Sequence, residues 1–455
     1  MTVSSDRPPN IVFILIDDMG WMDLGCQGSQ YYETPHIDEM AEQGMRFTNA
    51  YSACTVCSPT RASIMTGKYP ARLNLTDFIS GHVHPWAKLQ VPDWTQYLSH
   101  DETTFASVLQ EAGYNTFFTG KWHLGGPDYY PEKHGFEVNI GGCHRGMPPT
   151  YFSPYGIETM DDGPDGEYLT DRLTDEAVRL MEESRDEPFL MYLSHYAVHI
   201  PLEAKRNVIE KYARKDKHGQ LSEVYAAMVE STDDSVGRVL GQLDDLGLAD
   251  DTIVVFYSDN GGFTRATNNA PLRHGKGSAY EGGHRVPLIV RWPGRVAGGT
   301  TCDVPVSSPD FYPTLLDACG LPRMPEQHCD GESLMPLLTG GTGLPREALY
   351  WHYPHYHFSS PYAAVRSGDH KLIEYFESGR AELYDLGEDL GEENDLADQM
   401  PGKVDELRAD LHEWQESVGA QMPRPNPDYD PDQCYLRQTH RGLAEMVECG
   451  RELES

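Results

Sequence analysis

Four oxygen-bearing side chains stand in two adjacent pairs far apart in the chain: Asp17 and Asp18 close the run "NIVFILIDD", and Asp259 and Asn260 close "TIVVFYSDN". Three carboxylates and an amide oxygen suit a hard divalent cation better than zinc. Calcium is favoured over magnesium, because it tolerates the irregular geometry of a site gathered from distant segments. Neither pair belongs to an EF-hand-like run, so folding must assemble the site. Taken singly, such residues also terminate strands and cap helices. The second candidate centre is "CTVCSPTRASIMTG", residues 54–67. Its Cys54 and Cys57 have the spacing of a redox dithiol or half a zinc site. Zinc needs two more soft ligands, and no second CxxC or nearby Cys/His pair supplies them. No thioredoxin-like context surrounds the pair either. Pro59 suits the first turn of a helix and Gly67 its far end. Cys57 then sits at a helix N-terminus, where free N–H groups and the dipole favour a thiolate or a tetrahedral oxyanion. Arg61, four residues on, lies on the same side of that helix.

These residues must be positioned by the elements around them. Apolar runs at 10–18, 115–123, 188–199, 252–260 and 285–292 alternate with helical stretches, among them "TTFASVLQEAGY", 170–184 and 221–246. That alternation predicts an α/β fold with a large, mostly parallel sheet covered by helices on both faces. Asp17, Asp18, Lys121, His123, His199, Asp259 and Asn260 all fall at or just beyond the C-terminal end of a run, the edge where open α/β sheets bind ligands. A boundary is expected in "GGTGLPR" (340–346), giving a catalytic domain over 1–345 and a smaller C-terminal α+β subdomain over 346–455. In the latter, "ALYWHYPHYHF" and "GDHKLIEYF" predict an antiparallel sheet, 405–417 a helix, and 422–433 an irregular tail.

The formal net charge of -35, from 36 basic and 71 acidic residues, repels nucleic-acid phosphates. An anionic substrate must therefore meet a locally basic pocket. No apolar run approaches the about 20 residues that span a bilayer, so no membrane partner is expected. The nine cysteines are scattered and odd in number, which is not a disulfide framework. "MTVSSDRPPN" has no apolar core after a basic end, so a cytoplasmic protein is expected from the chain as given, or a periplasmic or secreted one if a signal was trimmed.

Cys57-Ser58-Pro59-Thr60-Arg61 followed by "ASIMTGKYPAR" resembles the signature of the type I, formylglycine-dependent sulfatases of the alkaline-phosphatase-like superfamily. The resemblance extends over "PNIVFILIDDMGWMDLGCQG", "TGKWHLG", "GFEVNIGG", "YSDNGG" and "GKGSAYEGGHRVPLIVRWPG". It is close from about residue 8 to 340 and weaker beyond, where "LYWHYPHY" is similar to the glycan-acting branch. The resemblance implies that Cys57 is oxidised to formylglycine by a maturation enzyme and that its hydrate attacks sulfur. It implies one calcium ion on Asp17, Asp18, Asp259 and Asn260. Arg61 would hold the hydrate, and Lys121 and Lys276 would clamp the sulfate oxygens. His123 would take the proton as sulfate leaves, and His199 would protonate the departing alkoxide. On the residues alone, His123 beside Trp122 could equally be a packing residue, Lys276 an ordinary loop lysine, and His274 an alternative occupant of the pocket.

A sugar needs hydrogen-bond donors and aromatic platforms. His144 and Arg145 precede an aromatic loop, and His352 and His355 lie in an aromatic strand that could also be a half-exposed sheet face or, less readily, a metal cluster. With "GFEVNIGG", similar to the carbohydrate sulfatases, these favour sulfated sugars or polysaccharide fragments as substrate. The alternatives are a phosphonate monoester or phosphodiester hydrolase of the same superfamily, or a catalytically silent glycan-binding homologue. The sugar, the sulfate position and the oligomeric state stay open.

Overall fold

A run such as "NIVFILI", apolar at nearly every position, cannot expose one face to water and so becomes a strand sandwiched between layers. In the computed structural model, which describes residues 7–434, 436–438 and 444–446, this run is strand β1, Asn10–Ile16, buried throughout. Cys449 and the first six residues lie outside the described residues. The other strands of the large sheet are β2 (Met45–Phe47), β3 (Asn115–Gly120), β4 (Val138–Ile140), β5 (Phe189–Ser194), β6 (Thr252–Ser258), β7 (Leu288–Arg291) and β8 (Thr300–Cys302). The sheet has eight strands in the order β8-β2-β7-β6-β1-β5-β3-β4. Every neighbouring pair is parallel except those of β7, which runs antiparallel to β2 and β6. The five apolar runs of the sequence are thus β1, β3, β5, β6 and β7. Since β1, β5 and β6 are buried at every position, both faces of the sheet are covered.

The principal helices are α1 (Pro35–Gln43), α2 (Cys57–Thr66), α3 (Leu169–Glu183), α4 (Glu223–Asp245) and α5 (Pro401–Ser417). In α3, Leu169, Leu173, Ala177, Leu180 and Met181 recur at helical spacing and form the buried stripe. Helix α4 begins where the Ser222 hydroxyl accepts from the Tyr225 amide, a cap that satisfies one orphan donor. No helix among the described residues is long and apolar enough to cross a membrane.

A second sheet is an antiparallel meander of β9 (Ala348–Tyr353), β10 (Tyr362–Ser367), β11 (His370–Tyr375) and β12 (Ala381–Asp385). Its side chains alternate between two cores. Leu349, Trp351, Tyr353, Tyr362, Ala364 and Ile373 pack with Tyr51, Cys54 and Val56, the segment that leads into α2. Ala363, Val365, Leu372 and Leu383 pack instead on Val404, Leu407 and Leu411 of α5. Beneath the first face, the fully buried Lys371 ammonium bridges Glu281 at 3.0 Å and Glu392 at 2.9 Å. Residues 341–347 hold no helix or strand, yet Arg346 is anchored to both carboxylate oxygens of Asp310, at 2.6 and 2.8 Å. The tail is not wholly irregular: Arg424–Pro425 pair with Leu89–Gln90.

Candidate active site

Strands β1 and β6 are parallel neighbours, with Ile16 opposite Ser258, so the residues that follow them emerge side by side. Asp18 turns through φ 64°, its amide donates to Asp259 Oδ1 at 3.2 Å, and Asn260 Nδ2 donates to Asp18 Oδ1 at 2.8 Å. On the other flank of β1, β5 runs on to His199, and the Val198 amide donates to the Asp17 carbonyl at 2.7 Å. Strand β3 delivers Lys121 and His123. It ends on Gly120 at φ 101°, where a Cβ would lie 1.8 Å from the Ser194 carbonyl oxygen; only glycine lets the two strand ends close this tightly.

Helix α2 enters the same edge with Cys57 as its first residue. Each position of the short signature has a defined contact. The Ser58 hydroxyl donates to the His123 carbonyl at 2.9 Å and accepts from the Ile79 amide at 3.1 Å. Pro59 lies in the first helical turn. Thr60 Oγ1 binds both the amide and the carbonyl of Cys54, at 3.2 and 3.1 Å. Arg61 spans the site: it donates to Asp259 Oδ2 at 2.9 Å, to the Lys121 carbonyl at 2.8 Å and to Ser194 Oγ at 2.7 Å. Cys54 and Cys57 are both buried and free, so the CxxC spacing does not make a disulfide.

Charges are concentrated here on buried side chains. Lys121 Nζ lies 2.6 Å from Asp17, and Lys276 Nζ lies 2.6 Å from Asp18 and 3.8 Å from Cys57 Sγ. Burial opposes the Cys57 thiolate, but Lys121 and Lys276 outweigh it and bring that thiol down to about 6. Burial likewise pushes the Asp17 carboxyl well up in spite of Lys121. Asp18 is equally buried, yet Lys276 and His199 hold it well below the usual carboxylate range.

The donor set fits a hard cation on one independent observation. Asp17 Oδ1 and Asn260 Oδ1 are buried and accept no hydrogen bond, a costly arrangement that coordination would relieve. Donor atoms of Asp17, Asp18, Cys57 and His199 also lie within 4.8 Å of one another.

The two histidines of the pocket are held in definite tautomers by backbone carbonyls. His123, at φ 59°, directs Nε2 to the Ile79 carbonyl. A carbonyl only accepts, so Nε2 carries the proton and Nδ1, buried without a partner, is left as an acceptor. Burial, then Lys121, keeps this imidazole well below the ordinary histidine range. His199 directs Nδ1 to the Ile200 carbonyl at 2.9 Å and Nε2 toward Asp18 Oδ2 at 3.6 Å. Burial and Lys276 oppose its protonation, yet Asp18 and Asp17 raise it overall.

The residues expected on the substrate side divide. His144 and Arg145 lie in the segment 143–146 that covers His123: the His123 amide donates to the Cys143 carbonyl at 3.0 Å, and a Cβ at Gly146 would fall 2.6 Å from the His123 Cε1. Both are tethered to Glu158, at 2.8 and 3.1 Å. His274 stands two residues from Lys276 with its ring 5.2 Å from Tyr280. His352 and His355 are not brought to the pocket surface. Both are buried: His352 Nε2 meets the Gln421 carbonyl at 3.0 Å, and His355 Nε2 meets Thr76 Oγ1 at 2.8 Å. His352 lies in β9, whose two faces are covered by the entry to α2 and by α5, and His355 lies two residues beyond the end of that strand, buried beside Asp77. Two contributors escaped the sequence reading. Ser194 ends β5 and links Arg61 to the Lys121 carbonyl, at 2.7 Å each; its place at a strand end was the available signal. Asp77 is buried and accepts from Tyr353 at 2.7 Å, a long-range contact with no local signature.

Residues 9–321 match the sequence model of the family described as Sulfatase, and residues 274–420 that of N-sulphoglucosamine sulphohydrolase, C-terminal. Arylsulfatase A of Homo sapiens is 32% identical over 466 residues, covering 90% of this chain and 87% of its own. N-acetylgalactosamine-6-sulfatase of Mus musculus is 33% identical over 380 residues, covering 77% of this chain and 70% of its own. Among solved structures, Ps i-CgsB in complex with k-i-k-neocarrahexaose superposes with a TM-score of 0.78 at 29% identity, over 93% of this chain and 95% of that one. The fold is the alkaline-phosphatase-like one expected from the sequence.

Proposed function

The chain belongs to the sulfatase family and is a sulfuric ester hydrolase, and we propose that it acts on sulfated sugars, with formylglycine made from Cys57 as nucleophile and calcium as metal. The observation that carries the reading is the position of Cys57, at the head of α2 between Lys276 and the strand-end acids. Sugars are favoured because Ps i-CgsB is solved with a bound oligosaccharide and two matches are named for sugar sulfates.

Asp17, Asp18, Asp259 and Asn260 would hold the ion. When present, calcium and the aldehyde hydrate supply charge neutralisation, an acidic hydroxyl and a second hydroxyl through which sulfate can be expelled without water attacking a stable ester. The protein's own groups do the rest. Arg61 already bridges Asp259, Ser194 and the Lys121 carbonyl, so it is rigid and holds position 57 in line. Lys121 and Lys276 present two ammonium groups to the sulfate oxygens, in a buried pocket where charge acts strongly. His123, whose Nδ1 is a bare acceptor, takes a proton from the nucleophilic residue. His199, whose Nε2 faces the site, gives one to the leaving sugar oxygen. His144 and Arg145, in the segment that covers His123, and His274 are proposed substrate contacts.

The test is a screen of enzyme produced with its maturation partner on regiodefined sulfated mono- and disaccharides, measuring released sulfate, with an aryl phosphonate ester in parallel. Sulfate release from sugars is expected, and a large preference for the phosphonate would overturn the reading. Mass spectrometry of the Cys57 peptide should show a loss of about 18 Da relative to the thiol. Unmodified thiol alone in an active preparation would remove formylglycine from the mechanism.

A further inference from the structure

The loop "PPTYFSPY" (148–155) carries three aromatic rings, and the first of them is not available to a sugar: Tyr151 is fully buried. Its hydroxyl reaches instead the turn that presents His199. After β5 the chain turns over Tyr196–His199, where the His199 amide donates to the Tyr196 carbonyl at 3.1 Å. The Tyr151 hydroxyl lies 2.6 Å from the Tyr196 carbonyl oxygen and 2.8 Å from that of His199. One proton serves both acceptors, so the two ends of the turn are tied to a single oxygen. The middle of the turn is tied to the end of β1: the Asp17 amide donates to the Ala197 carbonyl at 3.0 Å, and the Val198 amide to the Asp17 carbonyl at 2.7 Å.

Tyr151 is itself held at its backbone and its ring. Its amide donates to Glu203 Oε2 at 2.8 Å, and its carbonyl accepts from the Leu169 amide at the head of α3, also at 2.8 Å. Its ring stacks on Tyr168, with centroids 5.8 Å and planes 26° apart. The same Glu203 oxygen accepts from the Thr150 hydroxyl at 2.7 Å, and the Glu203 carbonyl accepts from the Tyr168 hydroxyl at 2.8 Å. Glu203 belongs to the segment that carries His199. That segment is thus fastened at two places, His199 and Glu203, to the head of α3 and the loop before it.

A brace of this kind matters to a proton donor. The His199 ring is locked by Nδ1 to the carbonyl of the next residue, Ile200, so the placement of its own backbone decides where Nε2 points. A displacement of about 1 Å at a catalytic group can cost about 10²-fold in rate. We propose that Tyr151 is the positioning residue for His199, its hydroxyl fixing the turn from which the imidazole reaches the leaving oxygen. Being fully buried, Tyr151 acts through His199 and not on the substrate. The proposal rests on the reading of His199 as the acid and adds to it the group that aims it.

The experiment uses matured enzyme, a series of aryl sulfates whose phenols range from strongly to weakly acidic, and a sulfated sugar. Tyr151→Phe keeps the ring and removes only the hydroxyl. Its kcat on the sugar sulfate should fall about tenfold or more at little-changed KM, while the most activated aryl sulfate turns over within about twofold of wild type. Along the aryl series the loss should grow as the leaving group becomes less acidic. Beside His199→Ala the same substitution should cost less than about twofold on every ester, because the group it positions is gone. A loss of equal size on all esters, no loss at all, or a loss that persists in full beside His199→Ala would overturn the brace alone. If His199→Ala is itself blind to the leaving group, the reading of His199 as the acid falls, and the brace with it. If no sugar is hydrolysed, the sugar reading falls and the aryl series decides the brace. Should Tyr151→Phe fail to fold, Glu203→Ala releases the other fastening and is judged by the same series and the same double variant.

Discussion

His199 has one ring nitrogen committed to the Ile200 carbonyl and the other facing Asp18 across 3.6 Å, so a single nitrogen is left to carry a proton to the leaving group. A positioned acid of this kind is worth about 10²–10⁴-fold. His199→Ala should therefore lower kcat on sugar sulfates by that order. On aryl esters with good leaving groups, which depart without help, the loss should be far smaller. Parallel steady-state assays decide it, and equal losses on both substrates would make His199 a binding residue. At this scale much of the site was legible. The acidic pairs, Lys121, His123 and His199 could be placed because strand ends are visible as the ends of apolar runs, and the helix over Cys57 because Pro59 and Gly67 bracket it. What could not be read were the partners of each polar atom. Nothing local to His123 announces the Ile79 carbonyl that fixes its tautomer, and nothing local to Ser194 announces Arg61.

The second sheet is the element that holds α2 and the 77–82 loop in place, and two consequences can be measured. Tyr353, on β9, donates to Asp77 Oδ1 at 2.7 Å, and the Phe78 amide donates to the same oxygen at 2.9 Å. Tyr353→Phe removes one donor from a fully buried carboxyl and loosens the loop that carries the Ile79 carbonyl. The expected result is a fall in kcat of about tenfold at little-changed KM, the cost of misplacing a catalytic group, with a stability loss of about 1–3 kcal/mol. A wild-type kcat in that variant would detach the loop from His123. His352, on the same strand, is held down to about 4 by burial, against about 6.5 when unfolded. The unfolded chain thus binds the extra proton between those values. The stability that depends on a neutral His352 is complete above about pH 6.5 and is lost as the pH falls toward 4, by up to about 3 kcal/mol. Relative to wild type, the deficit of His352→Asn in denaturant unfolding should therefore narrow as the pH is lowered from 7 to 4. A constant deficit would place a charged His352 in the native state. The sequence shows that such strands exist; it does not show which cores their faces enter. His352 read as a substrate contact because alternation looks the same whether the second face meets water or α5, and His355 because nothing local shows that the chain leaves the strand after Tyr353 and buries it on Thr76. The antiparallel entry of β7 is hidden for a similar reason: apolar runs carry no sign of direction.

At the scale of the whole molecule the chain carries a formal charge of -35, while the pocket gathers Arg61, Lys121 and Lys276 about position 57. An anionic oligosaccharide must therefore cross a repulsive field to reach an attractive site, and the two act over different ranges. The Debye length shrinks from about 30 Å at 0.01 M salt to about 8 Å at 0.15 M. Added salt consequently screens the shell far more than the buried contacts, which act within a few ångströms. For most steered enzyme–substrate pairs of opposite charge, salt slows association. Here kcat/KM for a polyanionic oligosaccharide should rise over that range of ionic strength, and rise more steeply with the number of charges on the substrate. A singly charged aryl sulfate should be nearly insensitive, since it brings one charge against the field and leaves the pocket contacts unchanged. The comparison needs only initial rates at subsaturating substrate across a salt series. A kcat/KM that falls with salt for the longer substrate would mean that the surface facing the approaching chain is basic, and that the acidic excess lies elsewhere on the molecule.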